Sequence, residues 1–75
     1  MYIAPKKARI FVIFRFIKED FPMIYHLVGA RNCFIIAKIV EEEYWETHHA
    51  NPDPKWVREK LLRYLRSGRF GQTNI

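Results

Sequence analysis

Five basic side chains crowd into residues 55–66: Lys55, Arg58, Lys60, Arg63 and Arg66, with Trp56 among them. Binding a polyanion needs cations held at fixed spacing on one face. An aromatic ring beside them can stack on an unpaired base, a contact worth about 1–3 kcal/mol. Arg69 and the Lys6-Lys7 pair would widen such a footprint. The same residues also describe an ordinary solvated helix with Trp56 packed against a loop, or a face that docks on an acidic protein.

The other groups with chemical potential are sparser. His26, His48 and His49 could bind metal or serve as general base, with Arg63 or Arg66 stabilising a phosphorane in a toxin-type ribonuclease. Adjacent histidines point apart in an extended chain, so a third metal ligand would have to come from His26 or Glu46. A polar loop explains them more simply. Glu41, Glu42, Glu43 and Glu46 lack a second carboxylate set to complete an acid–base or divalent-ion site, and read as a solvated face or as partners for lysine and arginine. Cys33 is the single cysteine, which excludes an internal disulfide and a cysteine-based zinc site. It reads as a buried thiol. No phosphate-binding glycine loop, dinucleotide fingerprint or serine triad order is present. The expectation is a non-enzymatic protein with no metal and no cofactor.

These residues sit in a chain of 75 with a net charge of +5, an apolar content of 49% and an aromatic content of 16%. That composition fits one small folded domain over 1–75, and argues against disorder. The aromatic surplus hints at a surface that meets a partner. Charge is placed in blocks: residues 1–32 carry six Lys/Arg against two acids, residues 51–75 again six against two, and the stretch between holds Lys38 against four glutamates. The acidic block is placed to pair internally with the basic ones. A reducing, cytoplasmic setting follows from the lone cysteine, and no stretch approaches the ~20 apolar residues of a membrane span.

The positioning elements are read from pattern. Residues 1–7 form an irregular, flexible basic arm. Ala8–Ile17 is dense in β-branched and aromatic residues and predicts a strand, apolar on both faces except at Arg15 and therefore central in a sheet or paired across a homodimer. Met23–Val28 and Cys33–Val40 predict two more strands, joined by a Gly29-Ala30-Arg31-Asn32 hairpin turn. A competing pattern exists. Cys33, Ile36, Ala37, Val40 and Tyr44 share one helical face that Asn32 could cap, and Asp20 could cap a short helix from Phe21-Pro22. That alternative is one strand followed by three helices.

The last element is the plainest. Asp53 is a favoured N-cap, Pro54 suits the first helical position, and Gly68 suits the residue just past the end. Val57, Leu61, Tyr64 and Leu65 predict the buried stripe; Lys55, Glu59, Arg63 and Arg66 the opposite face, with Trp56 and Lys60 beside them. A mobile tail from 69 to 75 follows, with Phe70 able to fold back on the helix end. The expected fold is therefore α+β, a three-stranded antiparallel sheet over about 8–40 with a basic helix over about 54–67. The expected function is nucleic-acid binding in transcription, replication or translation, with an adaptor or inhibitor docking on a larger nucleic-acid-handling machine as the alternative.

Overall fold

The computed structural model describes residues 2–66, and no strand occurs among them. Three helices follow one another: α1 (Lys6–Asp20), α2 (Pro22–His48) and α3 (Pro54–Arg66). The α+β expectation is overturned. The strand at 8–17, through which a homodimer was expected to pair, is part of α1 instead.

The reason lies in phase. A strand over 8–17 would put Ile10 on one face and Ile13 and Ile17 on the other. A helix gathers all three on one side, and all three are buried. Burying such a side chain is worth about 1.5–3 kcal/mol. The helix penalty for a β-branched residue is only a few tenths of that scale. Residues 33–44 repeat the argument: Cys33, Ile36, Ala37, Val40 and Tyr44 are all buried on one face of α2. The helical alternative for this segment is the one the fold takes, while its first strand is replaced by α1.

The expected hairpin turn at 29–32 is a break inside α2. Gly29 has φ 87° and ψ 163°, a conformation essentially reserved for glycine. The Asn32 side-chain amide donates to the Val28 carbonyl at 2.9 Å, across that break. Asn32 thus bridges the kink instead of starting a helix. Phe21, not Asp20, occupies the N-cap of α2, without a side-chain bond.

Ile10, Ile13, Ile17, Phe21, Ile24, Val28, Cys33, Ile36, Ala37, Val40, Val57 and Leu61 form one core. α1 and α2 run close together along their backbones. α3 closes the core through Val57 and Leu61. α2 meets the length and composition asked of a membrane-spanning helix, with a mean hydropathy of 1.3 over its most apolar window. A core helix of this length passes the same test, and a third of that window is buried within the chain.

The N-terminal arm is pinned. Asn51 Oδ1 accepts from Ala4 N at 2.9 Å, and Asn51 Nδ2 donates to Tyr2 O at 2.9 Å. Lys6 and Lys7, read as part of an irregular arm, are the first turn of α1. Gly68, Arg69, Phe70 and the 69–75 tail lie outside the described residues.

Candidate functional site

α3 begins where expected. Asp53 Oδ1 accepts from Lys55 N at 3.2 Å, and Asp53 O from Val57 N at 3.0 Å. Pro54 takes the first helical position, where a missing N–H costs nothing. Val57 and Leu61 face the core and Tyr64 is half-buried; Leu65, expected in the stripe, is exposed. Lys55, Arg58, Glu59, Arg63 and Arg66 are exposed. Arg63 and Arg66 also stand in the last turn, where the helix dipole favours cations.

Two of the expected site residues are otherwise engaged. Trp56 is half-buried. Its ring meets Tyr44 edge-on at 5.0 Å and His48 at 6.1 Å. A crevice of about 40 Å³, lined by Trp56, Glu59, Lys60 and Arg63, opens beside it. Lys60 Nζ lies 2.9 Å from Glu43 Oε1 and 5.7 Å from both the Trp56 and the Tyr64 rings. Tyr64 OH donates toward the same carboxylate at 3.4 Å. Trp56 and Lys60 thus fasten α3 to α2. Arg58 is partly engaged too, its guanidinium 5.8 Å from the Phe21 ring centre.

The acidic block pairs internally, as its placement implied. Glu41, Glu42 and Glu43 are consecutive, and successive helical residues project about 100° apart. They therefore splay toward different neighbours. Glu41 Oε2 takes Arg9 Nε at 2.8 Å, Glu42 Oε2 lies 3.9 Å from Lys6 Nζ, and Glu43 takes Lys60. The first two pairs bind α1, the third α3. Lys6 is thus paired with Glu42 on the side of α2 that meets α1.

Arg9 is the residue the sequence reading missed. It is 7% exposed. Its guanidinium bonds Glu41 and the Ala4 carbonyl and lies 4.0 Å over the Trp45 ring. The signal was available: Arg9, Ile13 and Ile17 recur at i, i+4 and i+8, with Ile10 beside them, which sets Arg9 on the buried stripe of a helix.

The histidines fall apart. His48 stacks on Tyr44 at 4.1 Å, and its Nδ1 lies 2.7 Å from Thr47 Oγ1. His49 ends α2 in the left-handed region at φ 49°, its ring 5.3 Å from Trp45. His26 is exposed beside Tyr25. Among the described residues no group of three or more metal-ligating side chains comes together. Cys33 is fully buried, and burial pushes its thiol pKa up. Comparison with known protein families, with characterised proteins and with solved structures finds no match to this chain.

Proposed function

We propose that this chain is a small non-enzymatic intracellular binding protein whose α3 engages nucleic acid through phosphate contacts. The observation that carries the reading is the exposed row Lys55, Arg63 and Arg66 with Arg58 on its flank, set on a helix anchored by Trp56 and Lys60. Rigid spacing of cations is what phosphate binding asks of a scaffold. Glu59 is the one carboxylate in α3 and trims the local field. Trp56 supports this face from behind; base stacking is not part of the reading, because its ring already packs on Tyr44 and His48.

Fluorescence anisotropy with a labelled duplex tests it. Four phosphate contacts imply a log–log salt slope of roughly −3 to −4. Arg63→Glu with Arg66→Glu should abolish binding and leave the helical content intact, since both side chains are exposed. Salt-independent or undetectable binding by the unmutated chain would sink the reading.

A second reading has its own support. Phe11 is 51% exposed, and Val12, Met23 and Leu27 are more so, which is unusual for so small a molecule. A cytoplasmic adaptor or inhibitor docking on an acidic protein surface would use these alongside the arginines. A pull-down with and without nuclease separates the two: partners that survive nuclease favour docking.

A further inference from the structure

Four aromatic rings of α1 and α2 touch in a continuous strip. Phe11 meets Phe14 at 6.4 Å and Phe34 at 5.7 Å; Phe14 meets Phe34 at 6.1 Å and Tyr25 at 6.2 Å. Phe11 is 51% exposed and the other three rings are half-buried, so the strip stands at the surface. Tyr25 precedes the Gly29 break and Phe34 follows it, which carries the strip over both segments of α2.

The charges around it have one sign. Residues three or four places apart are neighbours on a helix. At that spacing from the four rings stand Lys7, Arg15, Lys18, Arg31 and Lys38, and no acid. All five are exposed, and Lys18 Nζ lies 5.7 Å from the Tyr25 ring centre. Arg15 reaches Glu19 in an open contact at 3.4 Å; the other four make no ion pair among the described residues. The glutamates of the 41–43 run are spent on Lys6, Arg9 and Lys60 instead.

An apolar strip rimmed by cations complements an anionic bilayer. Rings enter the boundary between headgroups and acyl chains, and long basic side chains reach back to the headgroups. α2 supplies a second observation. Its most apolar window has the composition of a membrane-spanning helix, yet only a third of it is buried within the chain. Two other occupants fit less well. A second copy would set the same patch against itself, cations facing cations. An unpaired base needs a free ring face. These rings lie edge to face, at 63–86° between planes, and cover one another's faces.

We propose that the Phe11–Phe14–Tyr25–Phe34 strip docks the chain on the surface of an anionic lipid bilayer, without spanning it. The proposal is separate from the α3 reading, which stands or falls on the anisotropy titration. It gives the exposed Phe11 a lipid partner in place of a protein one.

Flotation of the full chain with large unilamellar vesicles tests it, using phosphatidylcholine alone and phosphatidylcholine with roughly 30% phosphatidylserine. The chain should float with the anionic vesicles, stay behind with the neutral ones, and be released by salt. Phe11→Ser should weaken binding by about tenfold through lost apolar insertion. Each Lys or Arg near an anionic surface raises binding by about fivefold, so Lys7→Glu with Arg31→Glu should weaken it by at least about 25-fold. Arg63→Glu with Arg66→Glu changes the net charge equally. It should weaken binding by less than about threefold, because charges outside the contact are screened beyond about 8 Å. Circular dichroism checks that each variant keeps its helical content. Absent flotation with anionic vesicles, equal flotation with neutral ones, unchanged binding by Phe11→Ser, or an equal loss from the α3 pair overturns the proposal. So does a dimer, an oligonucleotide complex or a nuclease-resistant protein complex that Phe11→Ser abolishes while vesicles bind nothing; the strip then belongs to that occupant.

Discussion

Arg9 and Lys60 perform the same task on opposite flanks of α2, in different surroundings. Each meets a glutamate of the 41–43 run, at 2.8 Å and 2.9 Å. The distances are equal within a tenth of an ångström. Burial is not: the Arg9 and Glu41 side chains are 8% and 2% exposed, those of Lys60 and Glu43 24% and 39%. Ion-pair energetics follow burial, because water screens the open pair and cannot rescue a charge left alone in the closed one. The α1–α2 half is therefore held by burial and by a charge pair that must stay complete. α3 is held by the burial of Val57 and Leu61, to which it adds an aromatic edge and a pair that can be lost.

The largest expected effect tests the closed flank. Arg9→Ala strands Glu41 without its cation and should lower stability by about 3–5 kcal/mol, much of what a small domain possesses. Urea denaturation measures it. Replacing both partners with apolar residues, Arg9→Met with Glu41→Leu, should restore most of the loss. A single-mutant loss under about 1 kcal/mol would put the two flanks on the same footing and erase the comparison.

Next comes the aromatic edge of α3. Trp56 is half-buried against Tyr44 and His48. Trp56→Ala should then cost about 2–3 kcal/mol, below the ~3–5 of a fully enclosed ring. Thermal melting reads the loss. Nucleic-acid affinity, measured where the variant is still folded, should stay unchanged, because the cations of the outer face remain. Weakened binding by a stable variant would return Trp56 to the contact surface.

Gly29 holds the two segments of α2 at their angle. Its φ of 87° and ψ of 163° suit glycine alone, and a Cβ there would meet nothing within 4 Å. Gly29→Ala should thus cost about 1–3 kcal/mol through backbone strain without any clash. A neutral result from chemical denaturation would mean that the kink relaxes into continuous helix.

These regions also differ in how plainly the sequence announced them. α3 carried its own punctuation, Asp53 and Pro54 at the start and a polar face broken by Val57 and Leu61, so its type, start and exposed cations could be read directly. α1 carried none. Pro5 caps it without a side-chain bond, no acid lies in its first turn, and apolar residues surround it on all sides. β-branched density then outweighed a stripe of Ile10, Ile13 and Ile17 that only the helical phase collects. Gly29 was legible as a point of special backbone geometry, but one glycine fits a hairpin turn and a helix break equally well. Pairing of the glutamates was foreseen as a tendency. Which glutamate meets which cation depended on the helical phase of 33–48, and with a strand there Arg9 had no reason to be buried.

The smallest effect belongs to the open flank. Lys60→Met keeps a stem of similar length and removes the ammonium that lies 5.7 Å from the Trp56 and Tyr64 ring centres. Glu43→Gln keeps the shape of the acid and an acceptor for Tyr64 OH. Each single variant should lose less than about 1 kcal/mol, and the double-mutant cycle should give a coupling of the same order. That coupling should shrink as salt rises from low to about 1 M, where the screening length falls to about 3 Å. The Arg9–Glu41 coupling, closed to counterions, should hold nearly constant over the same range. Two ion pairs on one helix, matched in length, would then be told apart by salt alone. Equal salt sensitivity would show that water reaches Glu41 as freely as it reaches Glu43.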